Sequence, residues 1–161
     1  MTKYQIIELS KDHDRSHFQC GIEALDRYFQ RQVSQDIRRK VAKCFVAVSD
    51  DDIIGYYTLA STSIPLTDLP EANIKKLPRY PLVPAAMLGR LAVSEDHHGK
   101  GIGGELIANA VLRSIRSDLA CYAILVDAID ERAVRFYRHH QFTPFAEKPN
   151  TLFLPLAGLL V

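Results

Sequence analysis

Between residues 87 and 116 the chain runs from an apolar stretch, Met87 to Val93, through His98-Gly99-Lys100-Gly101-Ile102-Gly103-Gly104 into a second apolar stretch ending near Arg116. A strand, a glycine-rich turn and a helix in that order constrain the fold more than any other feature. Glycines let the backbone approach a ligand closely, and the unpaired N–H groups of a helix start point at an anion. A pyrophosphate suits such a turn. Gly99, Gly101 and Gly104 also satisfy the dinucleotide pattern G-x-G-x-x-G, and Asp127 follows about 20 residues later at the end of the next strand. Against that reading, residues 94–98 intervene between the strand and the first glycine, where the dinucleotide fold has a tight turn. A Walker loop is excluded, because Lys100 is followed by Gly101 rather than Ser or Thr.

The rest of the chain reads as one domain, 1–161, with a proper core. Tyr4 to Leu9 forms a short strand. Ile22, Leu25, Phe29, Val33 and Ile37 recur at three- and four-residue spacing, which predicts one amphipathic helix from about Ile22 to Lys40. Cys44 to Val48 and Ile53 to Ser61 predict a hairpin turning at Ser49-Asp50-Asp51-Asp52. Residues 62–86 hold five of the eight prolines, so they are expected to be mostly loop around a short helix near Asp68–Lys76. Tyr122 to Val126 is a strand, Glu131 to His140 a helix, and Phe142 to Phe145 and Leu152 to Leu154 are closing strands. Strands first, then strand–helix units, give a mixed sheet flanked by helices.

Composition closes off other classes. No apolar run approaches the roughly 18 residues of a membrane span, and Met1-Thr2-Lys3-Tyr4 does not open a signal peptide. Three scattered cysteines, Cys20, Cys44 and Cys121, make no disulfide framework and read as a reducing cytoplasm. A net charge of +1 leaves any nucleic-acid affinity to local patches.

Gly89-Arg90-Leu91-Ala92-Val93, the turn His98 to Gly104, and Ala133-x-x-Phe136-Tyr137-x-x-x-Gln141-Phe142 together resemble the acetyltransferases related to Gcn5, the GNAT family. The resemblance implies an α/β (α+β) fold with a mixed, mostly antiparallel central sheet, a splay between two central strands, and flanking helices. It implies acetyl-coenzyme A as co-substrate and no metal. Leu91, Ala92 and Val93 would hold the pantetheine arm through their backbone. His98, Gly99, Lys100, Gly101, Ile102, Gly103 and Gly104 would wrap the pyrophosphate. Asp130, Ala133 and Phe136 would complete the cofactor site, and Tyr137 would donate a proton to the thiolate leaving group. Two positions depart from the family pattern. His98 stands where Arg or Gln is usual, and Gln141 stands where Gly is usual, at a helix end that favours a left-handed cap.

The chemistry can be weighed from reference values. With Tyr near 10 and a thiol near 8.5, full proton transfer is uphill by roughly 2 kcal/mol. Tyr137 therefore acts by hydrogen bonding in the transition state or with a lowered pKa. Glu95, Asp96, His97 and Asp130 lie nearby in sequence, yet solvated loop positions account for them equally well, and no general base stands out. An α-amine, with a reference value of about 7.7–8.0 against about 10.4 for lysine, needs less help from a base.

The resemblance narrows along nearly the whole chain. Phe18-x-Cys20-Gly21-x-x-x-Leu25-Asp26, Gly55-Tyr56-Tyr57-Thr58-Leu59, Leu77-Pro78-Arg79-Tyr80-Pro81 and Gly89 to Val93 are similar to the acetyltransferase toxins of bacterial toxin–antitoxin pairs, the TacT and AtaT group. This implies acetylation of the α-amine of an aminoacyl-tRNA, a block of translation, a homodimer, and a ribbon-helix-helix antitoxin as partner. Independently, Arg27, Arg31 and Arg38 fall within about 40° of one another on an ideal helix. With Arg39, Lys40 and Lys43 they make six basic residues against one acidic residue, Asp36. Such a face would hold phosphates without base specificity, or would simply be solvated. Arg132, Arg135 and Arg138 give the Tyr137 helix a second basic surface. Arg90 either reaches the acceptor or pairs with a carboxylate. His13/His17 and His97/His98 lack cysteine partners at zinc spacing. The competing functions are acetylation of a small amine or a protein N-terminus, and a non-catalytic module that binds coenzyme A.

Overall fold

The computed structural model describes residues 3–159. Seven strands form one sheet in the order β1-β2-β3-β4-β5-β7-β6. They are β1 (Gln5–Glu8), β2 (Lys43–Ser49), β3 (Asp52–Pro65), β4 (Leu82–Val93), β5 (Ala123–Asp127), β6 (Thr143–Pro144) and β7 (Thr151–Pro155). The helices are α1 (Glu23–Arg31), α2 (Val33–Arg38), α3 (Glu71–Ile74), α4 (Ile102–Ile115) and α5 (Glu131–His139). Strands β1–β2, β2–β3, β5–β7 and β6–β7 pair antiparallel, and β4–β5 pair parallel. The mixed sheet with helices is the expected fold class.

The chain forms two compact units, Met1–Ala60 with Gly89–Ala110, and Ser61–Leu88 with Val111–Val161. In the first, Phe29 stacks on Tyr56 at 4.2 Å between ring centroids, with Phe18 edge-on to both. Val33, Val46 and Cys44 complete this core. The β2–β3 hairpin turns on Asp50 and Asp51, both at positive φ (49° and 67°), as a two-residue turn with left-handed central residues requires. In the second unit Phe145 stacks on Phe153 at 4.9 Å among Ile64, Val83, Ala123 and Leu125. Its parallel ladder runs from Ala85↔Ala123 to Leu88↔Val126 and stops. The rest of β4, Gly89–Val93, extends beyond it.

Two sequence expectations change. The single helix from Ile22 to Lys40 is two helices, broken at Gln32 (φ −117°, ψ −31°). Phe29 and Val33, on either side of the break, are both fully buried, and Arg15 Nη1 donates to the Phe29 carbonyl in the last turn of α1 at 2.8 Å. The 62–86 loop is shorter than the prolines suggested, because β3 continues to Pro65 and β4 already begins at Leu82. Pro84 lacks a donor, but its carbonyl accepts from Tyr122 N at 2.9 Å. A strand tolerates proline where only the carbonyl side is used.

Candidate active site

In the first unit, β4 leads into a short 3-10 turn (Glu95–His97) and then residues 98–101 before α4 begins at Ile102. Gly99 and Gly101 both lie in the left-handed region (φ 78° and 79°), and a Cβ at either would meet nothing within 4 Å. The glycines are there for backbone conformation, and the side of the turn they open is free for a ligand. Successive N–H groups in such a turn at a helix start form an anion-binding concavity. Ile102 is buried and fixes the helix, while His98, Gly99, Lys100 and Gly101 are exposed and Gly103 and Gly104 half-buried. The helix lies close on β3 at Gly55, where an added Cβ would come within 3.2 Å of both the Ala92 carbonyl and Leu106 Cδ1. Asn109 Oδ1 accepts from Tyr57 Oη at 2.6 Å on the same face. These residues therefore fit the turn for a pyrophosphate.

His98 has a definite structural task. Its Nε2 lies 2.8 Å from the Val93 carbonyl, so Nε2 carries the proton and donates to the strand end. The Val93 carbonyl, on the strand expected to offer its backbone to pantetheine, accepts this bond and keeps a second lone pair. Leu91 is half-buried and Ala92 buried on the same strand.

Arg90 does not pair with a carboxylate among the described residues. Its guanidinium carbon lies 3.7 Å above the centre of the Tyr28 ring, and its backbone N–H donates to Thr58 Oγ1 at 3.1 Å. Thr58 is a buried polar side chain. Glycine at 89 leaves room for it, since a Cβ there would stand 2.9 Å from Thr58 Oγ1. Tyr28 Oη in turn donates to Asp36 Oδ2 at 2.7 Å. Sequence reading missed Tyr28, Asp36 and Thr58. Tyr28 sits one residue before Phe29 in the apolar stripe, and nothing local marks it as the partner of a residue in β4.

In the second unit, α5 positions Tyr137. Asp130 begins the helix in extended conformation and accepts from Ala133 N at 2.8 Å, so its carboxylate serves as the N-cap. The other end is a complete left-handed closure. Phe142 N donates to the Tyr137 carbonyl (3.1 Å), Gln141 N donates to the Arg138 carbonyl (3.0 Å), and Gln141 itself has φ 76°. The Phe142 ring meets Tyr137 edge-on at 5.5 Å and Phe136 does so at 5.3 Å. This is the Schellman arrangement with glutamine in the glycine position. Tyr137 is 8% exposed. Burial pushes its phenol up to about 12, against the lowered value considered from sequence, so the hydroxyl is a neutral donor at any working pH. Ala133 and Phe136 are half-buried on the same helix.

Of the basic residues, Arg27 forms an i,i+4 ion pair with Glu23. Arg31 and Arg38 lie on different helices, on either side of the break at Gln32. Arg31, Arg38, Arg39, Arg132, Arg135 and Arg138 are all exposed. Among the described residues no group of three or more His, Cys, Asp or Glu side chains could hold a metal, and no helix is long and apolar enough to cross a membrane.

Comparison with known proteins places this geometry. A family profile described as an acetyltransferase (GNAT) domain matches residues 40–144. A probable toxin TacT of Sinorhizobium fredii (strain NBRC 101917 / NGR234) is 30% identical over 91% of this chain and 87% of its own length. A tRNA-acetylating toxin of Mycobacterium tuberculosis (strain ATCC 25618 / H37Rv) is 31% identical over 91% of this chain and 88% of its own. Among solved structures, AtaT complexed with acetyl-methionyl-tRNAfMet superposes with TM-score 0.87 at 30% identity, covering 95% of each chain. AtaTR bound with acetyl-coenzyme A gives 0.81 at 29% identity over 95% and 94%, and an AtaT variant bound to the C-terminus of the antitoxin AtaR gives 0.79 at 27% over 95% and 93%. An open glycine turn ahead of α4, a buried neutral tyrosine on α5 and a matching profile across most of the chain agree: the protein belongs to the GNAT family of acetyltransferases.

Proposed function

We propose that this chain moves the acetyl group of acetyl-coenzyme A to the α-amine of an aminoacyl-tRNA, in one step within a ternary complex, and acts as the toxin of a toxin–antitoxin pair that blocks translation. The observation that carries the reading is the end-to-end likeness to AtaT captured with acetyl-methionyl-tRNAfMet, reinforced by a relative named for tRNA acetylation. The glycine turn 98–104 receives the pyrophosphate of the donor, which supplies a thioester acetyl group when bound. Leu91 and Ala92 offer backbone to its pantetheine arm. The amine nitrogen forms the new C–N bond as the C–S bond breaks. The sulfur keeps the electron pair, and the Tyr137 hydroxyl stabilises it by hydrogen bonding. An α-amine, neutral in large part near pH 8, delivers its extra proton to solvent without a dedicated base. The exposed arginines 31, 38 and 39, and those along α5, supply sequence-independent phosphate contacts.

The likeness to a toxin seen with an antitoxin C-terminus supports an antitoxin as partner, and we extend the proposal to an antitoxin of the ribbon-helix-helix type and to a homodimer working in the cytoplasm. The test uses bulk aminoacylated tRNA, labelled acetyl-coenzyme A and purified protein, with Tyr137→Phe as control. Label on the amino acid of one or a few tRNA species, strongly reduced by the substitution, is the expected result. Label on small amines or protein N-termini with none on tRNA would replace this acceptor with those.

A further inference from the structure

Arg90 carries the least explained charge in the first unit. It is half-buried on β4, next to the strand residues assigned to the acyl donor. It makes no ion pair among the described residues. A guanidinium has five N–H donors in its plane, and lying face-on at 3.7 Å over Tyr28 uses none of them. Tyr28 is itself fixed, buried to 5% exposure and bonded through its hydroxyl to Asp36 Oδ2 at 2.7 Å. Asp36, on α2, is the acidic residue of the stretch from Arg27 to Lys43, and it spends its carboxylate on the phenol rather than on the cation. Accepting that hydrogen bond enriches the ring, and an electron-rich ring holds the cation more firmly. The main chain of Arg90 is pinned too, through Thr58 Oγ1 at 3.1 Å. The result is a flat, weakly hydrated cation held in place with its donor edge unspent, the form best suited to a bidentate oxyanion.

Resting on the acceptor class given above, we propose that Arg90 receives a phosphodiester oxygen at the 3′ end of the charged tRNA, and that Tyr28 and Asp36 are positioning residues that aim it. In an aminoacyl-tRNA the α-carboxyl is esterified to ribose, so the acceptor offers no carboxylate beside its amine. The nearest anion is the phosphodiester of the terminal nucleotide. The donor's own pyrophosphate is served by the 98–104 turn. Arg90 thus separates an amino acid carried on a nucleic acid from the same amino acid free.

The test compares charged tRNA with the corresponding amino-acid methyl ester, which has the amine and the ester but no phosphate, and with the free amino acid. For Arg90→Ala the ratio of kcat/KM on tRNA to that on the methyl ester falls at least tenfold, through KM on tRNA. The log–log salt slope of kcat/KM on tRNA becomes shallower by about one. Tyr28→Leu behaves as Arg90→Ala, whereas Tyr28→Phe, which keeps the ring but loses the bond to Asp36, and Asp36→Asn, which only weakens that bond, both retain part of the ratio, Asp36→Asn the more. Thermal melting and acetyl-coenzyme A binding are measured for each variant so that misfolding is recognised. An unchanged ratio and salt slope in a folded Arg90→Ala protein would overturn the proposal while leaving tRNA as the acceptor. A loss confined to the free amino acid would assign Arg90 to a carboxylate and overturn it equally. Wild-type protein that acetylates no charged tRNA would overturn the acceptor reading and this proposal together.

Discussion

Tyr137 is hard to ionise. With its phenol pushed up to about 12, complete transfer of its proton to a thiolate near 8.5 is uphill by roughly 5 kcal/mol, so in the proposed reaction its part is a hydrogen bond. Raised means the neutral donor survives above pH 10, where an ordinary tyrosine has half ionised. We therefore expect kcat to show no basic limb assignable to Tyr137 up to about pH 10, and Tyr137→Phe to lower kcat about 100-fold across that range. A pH–rate profile of both proteins checks this. At His98, removing the bond from Nε2 to the Val93 carbonyl frees the turn from the strand end. His98→Ala should raise KM for acetyl-coenzyme A several-fold with kcat little changed. His98→Gln, which can donate to the same carbonyl, should restore most of it.

At the scale of elements, α5 is decided at its two ends. Its start follows the rules of capping, with Asp130 bonded to Ala133 N, and Asp130→Ala should cost about 1 kcal/mol. Its finish violates one rule, since Gln141 holds φ 76°, where an L side chain is strained by about 1 kcal/mol. Gln141→Gly should raise the melting temperature by about 2–4 °C without altering the cap, measured by calorimetry. The span of α5 and its left-handed end at Gln141 were legible, as were α4, the hairpin at Asp50-Asp51 and the turn 98–104, whereas Asp130 reads in sequence as a cofactor contact and not as a cap. The break at Gln32 was not legible. The apolar period runs unbroken from Ile22 to Ile37, and the bond beside the break, from Arg15 to the Phe29 carbonyl, comes from a residue outside that period. The strand ends at Pro65 and Leu82 were missed for a similar reason. Proline content marks absent donors, but pairing partners decide whether a donor is needed. Arg90 shows the limit most clearly, because its partner Tyr28 lies on an element far away in sequence.

Across the whole molecule, buried weak acids set the alkaline limit. Burial raises Cys20 to about 11, Cys44 to about 12 and Tyr137 to about 12, and raises Tyr28 and Tyr56 as well. Below the ordinary thiol and phenol values both folded and unfolded chains keep these protons. Above them the unfolded chain releases protons that the native state retains, so the unfolded state binds fewer and stability falls as pH rises. The loss should begin near pH 8 and amount to several kcal/mol between pH 8 and pH 10. The urea midpoint at those two pH values reads it directly. A midpoint unchanged between them would mean that these groups titrate as they do in the unfolded chain.

The closure of α5 has one further consequence. The amide of Phe142 is bonded to the carbonyl of Tyr137 itself, and the Phe142 ring lies against the Tyr137 ring. Fraying of that last turn would expose the amide and release the tyrosine in one event. Deuterium uptake at Phe142 therefore clocks how often Tyr137 is released from its place, residue-resolved and without any substrate present.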